Sequence, residues 1–449
     1  MRYRSFFPTY VLQAVPARFR SDAGTIADAA SSSRSTQRLF VTCCLLWSAL
    51  ASCAAAQEWT RFRGPNGSGV STATTVPVRW TAQDYNWKVA LPGVGHSSPV
   101  LWGERLFVTS ADEKTGTRFL LCLRVSDGER LWSREFAGER LGKHADNSFA
   151  TATPAVDAQH IYVCWGNAKE YLVAALDHDG KEVWRADMGQ FRSGHGFGPS
   201  LIVHGDLLVV PCDQDGQSAL FGLERMTGKV RWKVPRRSKA NYTTPCVYHP
   251  RGRPAELIFT SYEHGISSID STTGRVNWEL DVFDKRHVET AIGSPVVAGD
   301  LILGTCGWLG VRQEVVVVQP KAGDEKAKAV EVYRIDRSAP LCTTPLVHGE
   351  LLFLWSDGGM VTCADLRTGK VHWRERVPGS YYTSPICVSD RLYGISRDGE
   401  VVVLAAAKEY ELLARNPLGE GSHSTPAVAD GRLYLRTFSH LISLGGRRP

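Results

Sequence analysis

The sequence predicts an all-β chain folded as an eight-bladed β-propeller, each blade a four-stranded antiparallel sheet and the ring closed by an N-terminal strand. Three observations predict it. A Ser/Thr-Pro or Gly-Pro step followed by an apolar run recurs eight times, at Pro99, Pro154, Pro199, Pro245, Pro295, Pro345, Pro385 and Pro426. A Gly-x-x-x-Trp signature follows in five of those repeats. The two chain ends hold complementary fragments of one repeat, as a ring requires.

In each repeat the Pro stands where a strand begins, the position at which a sheet loses no ladder donor. Ser98-Pro99-Val100-Leu101-Trp102-Gly103-Glu104-Arg105-Leu106-Phe107-Val108 reads as strand, tight turn, strand, and the stretches from Ser294 and Thr425 repeat it. The second half of the repeat pairs Gly128 with Trp132, Gly180 with Trp184, Gly228 with Trp232, Gly274 with Trp278 and Gly369 with Trp373. Each Gly follows Asp or Thr, which is hairpin chemistry, with Gly supplying positive φ. The fifth repeat departs from the pattern, with Tyr333 after a charged insertion from Lys321 to Lys328 that reads as a solvated hairpin tip. The seventh has Leu412 where Trp is expected. The eighth ends after one further strand, Leu441–Leu444, while an orphan strand, Tyr85–Val89 with Trp87 at its centre, precedes the first repeat. Pairing these two would complete the last blade and leave few free edges. Residues 57–449 then give about 49 residues per blade.

Composition agrees. Forty-two Gly and 13 Trp against 4 Met suit a turn-rich β protein. Hydrophobic residues at 43% and charged residues at 22% exclude a disordered, collagen-like or polytopic membrane chain. Most of the formal net charge of +6 lies in the first 56 residues, which hold six Arg against two Asp. The near-neutral remainder gives no nucleic-acid footprint.

Residues 1–56 read as a secretory signal peptide with a long n-region. An apolar run, Leu39–Leu50, follows Arg38 and ends in Ala54-Ala55-Ala56. Cleavage near Ala56 is one reading. The other is a lipoprotein signal, Leu50-Ala51-Ser52-Cys53, with lipidation at Cys53. Either makes the protein exported, to the periplasm or beyond the cell, and membrane-anchored only if Cys53 is lipidated. Eight Cys remain after the signal, without C-x-x-C spacing. They read as buried thiols, with one or two cross-strand disulfides as the alternative.

The repeat Gly359-Met360-Val361-Thr362-Cys363-Ala364-Asp365-Leu366-Arg367-Thr368-Gly369-Lys370-Val371-His372-Trp373 resembles the tryptophan-docking repeat of quinoprotein (PQQ-type) propellers. The stretch Trp59-Thr60-Arg61-Phe62-Arg63-Gly64-Pro65-Asn66-Gly67-Ser68-Gly69-Val70-Ser71 is similar to the opening of secreted bacterial PQQ-like repeat proteins. The resemblance covers roughly residues 58–445. It implies that Trp87, Trp132, Trp184, Trp232, Trp278 and Trp373 dock between blades. It also implies one of two activities. One branch comprises PQQ- and calcium-dependent dehydrogenases of alcohols or sugars. The other is non-catalytic and includes the propeller lipoprotein of the outer-membrane β-barrel assembly machinery.

In such propellers the residues just before each Pro face the central channel. His96, Ser97, His195, Tyr242, Glu289, Tyr381 and His423 are therefore expected to line one funnel, a small-ligand or peptide site. The three His come from blades one, three and eight, too dispersed for a metal site. The dehydrogenase branch usually carries adjacent cysteines over its cofactor, and the sole Cys-Cys pair is Cys43-Cys44 in the signal run. Its calcium ligands find no counterpart residue by residue. Asp213 and Asp215 lie in a stretch that reads as a solvated turn. No phosphate loop, H-E-x-x-H or G-x-S-x-G motif is present. The expectation is a monomeric, non-catalytic scaffold with a protein or peptide partner in the cell envelope and no cofactor. A PQQ- and calcium-dependent oxidoreductase is the alternative.

Overall fold

The computed structural model describes residues 59–140, 142–286, 290–321 and 329–446. All belong to the second of the chain's two compact units, Ala56–Pro449. The expected signal peptide, Cys53 and Glu289 lie outside the described residues, as does most of the insertion in the fifth repeat. Among the described residues no helix is long and apolar enough to cross a membrane.

The eight repeats form eight separate sheets, seven four-stranded and one five-stranded. In blade one the strands run outward as Val100–Trp102, Arg105–Ala111, Arg118–Arg124 and Arg130–Phe136, each antiparallel to the last. Blades two to seven repeat this order from innermost strands at Ala155–Val156, Ile202–His204, Cys246–Tyr248, Val296–Ala298, Leu346–His348 and Ile386–Val388. The middle strands are packed on both faces by neighbouring blades. They are therefore continuous apolar runs, such as Leu106-Phe107-Val108, all fully buried. The outermost strands face water on one side and mix exposed with buried residues.

The ring closes as the chain ends predict. Tyr85–Ala90 pairs antiparallel with His440–Gly445, setting Trp87 opposite Ser443. It forms the outer strand of blade eight, whose inner strands are Ala427–Ala429 and Arg432–Arg436.

The Gly-x-x-x-Trp signature is a lock between blades. The indole N–H of Trp132 donates to the His178 carbonyl in the next blade at 3.0 Å, and Trp184, Trp232, Trp373 and Trp87 bond alike to Arg225, Ser271, Ala407 and Val125. Each of four of these rings covers the turn glycine of the following blade. A Cβ built on Gly274 would come within 2.8 Å of Trp232, and Gly128, Gly180 and Gly228 stand likewise against Trp87, Trp132 and Trp184. These glycines meet two demands at once, a positive φ and room for an indole. In blade five Tyr333 takes the role, its hydroxyl donating to the Leu366 carbonyl at 2.6 Å over Gly369. Trp278 is buried, but its N–H has no partner among the described residues. Leu412 stays 41% exposed and locks nothing. The eight cysteines from Cys122 to Cys387 are all free, seven of them buried, so cross-strand disulfides are absent among the described residues.

Candidate functional site

A hydroxyl beside the Pro, before it in most blades and after it as Ser200 in blade three, links the innermost strands of neighbouring blades at six seams. The amide of Ser98 donates to Thr153 Oγ1 and that of Thr153 to Ser200 Oγ, both at 3.0 Å. Further round, the amides of Thr244, Ser294, Thr344 and Ser384 donate to the hydroxyls of Ser294, Thr344, Ser384 and Thr425 at 2.9–3.1 Å. Inner strands are only two or three residues long, and these bonds satisfy donors that have no ladder partner.

Above this ring lies a central cavity of about 450 Å³. Strand alternation decides what lines it. The residue three before Pro points inward in seven repeats: His96, Thr151, Tyr242, Ile292, Cys342, Tyr382 and His423. Blade three is shifted, presenting His195 and Ser200. Of the expected funnel residues, His96, His195, Tyr242 and His423 are thus on the cavity wall. Ser97 and Tyr381 are not, because they sit one residue out of phase. Ser97 is wholly buried and accepts from the Thr109 amide at 3.1 Å and from Arg436 Nη1 at 2.6 Å. Tyr381 packs against Trp355 of blade six, with ring centroids 5.1 Å apart, and donates to the Pro378 carbonyl. The residue after it, Tyr382, takes the inward place.

The lining residues gather in two groups. His96 and His423 meet at 4.7 Å between centroids with their planes tilted 58°, and Phe438 and Tyr382 pack against them. Burial, and then the neighbouring cations and second imidazole, holds the pKa of His96 well below the ordinary histidine range. Burial, then Arg397, lowers that of His423. Across the mouth, Tyr242 shares a 2.6 Å hydrogen bond with Ser193, and His195 stands edge-on to it. Burial raises the Tyr242 hydroxyl to about 12. The Cys342 thiol is driven well above its usual range by burial and then Asp357, so it is no ready nucleophile.

Two features that periodicity does not reveal close the cavity. The loop 143–148 forms a strap over the mouth. On one side the amides of His144 and Asn147 Nδ2 reach the His195 carbonyl at 3.2 and 2.7 Å. On the other, Asp146 pairs with Arg397, whose guanidinium lies 4.4 Å over the Tyr382 ring, and the Asp146 carbonyl meets His423 Nδ1 at 3.2 Å. At the opposite end, the segment 59–71 plugs the ring. Arg61 Nη2 donates to the Pro245 carbonyl at 2.5 Å, and Arg63 donates to those of Pro385 and Pro345 at 2.7 and 3.2 Å. Asn66 bonds both backbone groups of Val247, and Val70–Ser71 adds a parallel strand to Ile386–Val388. Phe62, between the two arginines, lines the cavity. The centre is thus a blind cup, roofed in part by the strap.

A larger groove, about 850 Å³, runs beside the long outer hairpin of blade three, lined by Arg192, Lys233 and Arg237 among others. Asp215 lies in its wall, while Asp213 is buried in an ion pair with Arg236.

The fold and its cup define a class, the PQQ-like repeat propeller. The family model described as outer membrane protein assembly factor BamB (PQQ_2) matches residues 168–409, more than half of the chain, and the chain belongs to that family. The BamB of Yersinia pestis is 21% identical over 320 residues, covering 68% of this chain and 75% of the relative. That of Escherichia coli K12 is 23% identical over 304 residues, covering 66% and 74%. The crystal structure of BamB from Moraxella catarrhalis superposes with a TM-score of 0.56 at 14% identity, covering 80% of this chain and 98% of that one. At that identity the likeness speaks for the fold.

A calcium ion takes six to eight oxygen ligands, several of them carboxylates. Among the described residues the cup offers one carboxylate, Asp146, and Arg397 holds it. No three His, Cys, Asp or Glu among the described residues stand close enough to share a metal ion. The described donor set does not fit calcium.

Proposed function

We propose that this protein is an exported, non-catalytic scaffold of the cell envelope, which docks a protein partner through the mouth of its cup. Membership of the BamB family supports an assembly role. The observation that carries the docking face is the hairpin tip of blade five. It joins Leu301–Trp308 to Arg312–Pro320 and holds Trp308, Leu309 and Val311, which are 39, 47 and 63% exposed. Trp308 and Leu309 also line the cup, so apolar surface continues from the rim into the cavity. Clustered exposed apolar side chains beside a concave site mark binding surfaces.

The test places a photo-crosslinking side chain at Val311 in the producing cell. Cross-links to one envelope protein, lost in Trp308→Asp while the fold is retained, are expected. An adduct pattern unchanged by Trp308→Asp refutes this docking face. The quinone reading of the fold is tested on the same preparation, by dye-linked alcohol and sugar oxidation with PQQ and calcium. Turnover above the protein-free control would replace the scaffold reading.

A further inference from the structure

We propose that the base of the central cup is a binding site for a small oxyanion, a carboxylate or a phosphate. This goes beyond the docking role and does not depend on it. Six hydroxyls, those of Thr153, Ser200, Ser294, Thr344, Ser384 and Thr425, line the cavity, and none of these residues is more than 6% exposed. Each hydroxyl oxygen accepts one backbone N–H. No described protein atom accepts the proton that each hydroxyl still carries. Six uncommitted donors on one buried wall call for an acceptor-rich guest.

The sign of the surroundings selects an anion over a neutral acceptor. Arg61, Arg63 and Arg436 are buried around the cup, and none has a carboxylate partner among the described residues. Arg61 and Arg63 bond the carbonyls of Pro245, Pro345 and Pro385, each directly after a hydroxyl residue of the ring step. Arg436 bonds Ser97, the neighbour of His96, and its Nε and Nη2 have no partner, nor has Nε of Arg61. Cations desolvated without a counter-charge are costly, and burial alone lowers the pKa of both Arg63 and Arg436 to about 9. The one acid on the described wall, Asp146, is committed to Arg397 at the strap. An oxyanion seated on the hydroxyls would meet donors directly and offset three positive charges behind them. The same arrangement offers a cation no free carboxylate among the described residues.

The experiment measures binding of citrate and of inorganic phosphate to the full chain by calorimetry and thermal shift, with ionic strength matched by sodium chloride. The two ligands separate the carboxylate from the phosphate source. Wild type is expected to be stabilised by one of them above the salt control. Thr344→Val and Ser384→Ala should each weaken that ligand by roughly ten- to a hundredfold, as expected when a hydrogen bond to a charged group is lost. Lys233→Ala with Arg237→Ala, in the groove of blade three, should leave it unchanged. Crystals of the wild-type protein soaked in selenate provide a measurement independent of any variant, with anomalous density expected among the six hydroxyls. No stabilisation above the salt control, binding abolished by the groove variant alone, or selenate absent from the cup would each overturn the proposal.

Discussion

Replacing Trp232 with alanine should open the seam between blades three and four, and its cost follows from the contacts that side chain makes. Trp232 is 6% exposed, covers Gly274 and donates its N–H to the Ser271 carbonyl at 3.1 Å. Gly274 cannot follow the vanished ring, because its backbone is pinned in the turn at a φ of +72°. The cavity therefore stays open, and a truncation of this kind costs about 3–5 kcal/mol. Of that, about 1 kcal/mol belongs to the hydrogen bond. Trp232→Phe keeps most of the ring and loses the donor, so it should cost about 1–2 kcal/mol. Leu412 occupies the same repeat position in blade seven but is 41% exposed, and Leu412→Ala should stay within about 0.5 kcal/mol. Urea unfolding followed by far-UV circular dichroism ranks the three. A Trp232→Ala loss below about 1 kcal/mol, or one equal to that of Leu412→Ala, would refute the lock.

Two further outcomes follow from the same architecture. A chain starting at Leu91 lacks both the plug and the closing strand, so the edge of His440–Gly445 is left unpaired. It should self-associate in light scattering, and a stable monomer would show that closure is dispensable. Acid should weaken the ring through His96. This imidazole is faced by His423, Arg436, Lys143 and Arg397, and its pKa lies well below the ordinary 6.5. Below pH 6.5 the unfolded chain therefore takes up a proton that the folded ring refuses, and stability falls as pH drops until the folded pKa is passed. His96→Phe should flatten that fall in thermal melts between about pH 7.5 and about pH 5, and parallel curves for variant and wild type would exclude His96 as the source.

The ring was legible because its determinants are local and repeated. The Pro steps, the turn glycines and the docking tryptophans each mark a position within one blade, and eight copies reinforce one another. Closure was legible for the same reason, since Trp87 is one more copy of the docking residue. The cup was half legible. His96, Tyr242 and His423 stand at one fixed offset from Pro, and applying the alternation of an extended chain strictly would have replaced Tyr381 with Tyr382 and added Cys342. The plug was not legible. Residues 59–71 have no period, and their partners lie up to 322 positions away, as for Arg63 and Pro385. Arginine is also a residue one expects at the surface, so nothing marked Arg61 and Arg63 as buried. Asp146 was hidden in the same way, in a loop whose contacts reach blades three, seven and eight.

The plug and the strap together divide the work of the molecule. A bare ring of eight short inner strands leaves a channel whose floor is unpaired backbone. Residues 59–71 satisfy that backbone from one side, with bonds to strands of blades one, two, four, six and seven. Cohesion between blades is supplied at the rim by the indole locks and at the axis by the hydroxyl ring. The indole locks stand outside the cup, and the hydroxyl bonds draw on its wall only through the hydroxyl oxygens. That wall also carries groups that the inter-blade bonds do not use: His96, His423, Tyr242, Tyr382 and the hydroxyl protons. Buried donors left over after a fold has been fully stitched are costly to keep. Six of them on one wall, where every blade contributes, are what the proposed oxyanion site would use, and the half-exposed Trp308 lines the same cup.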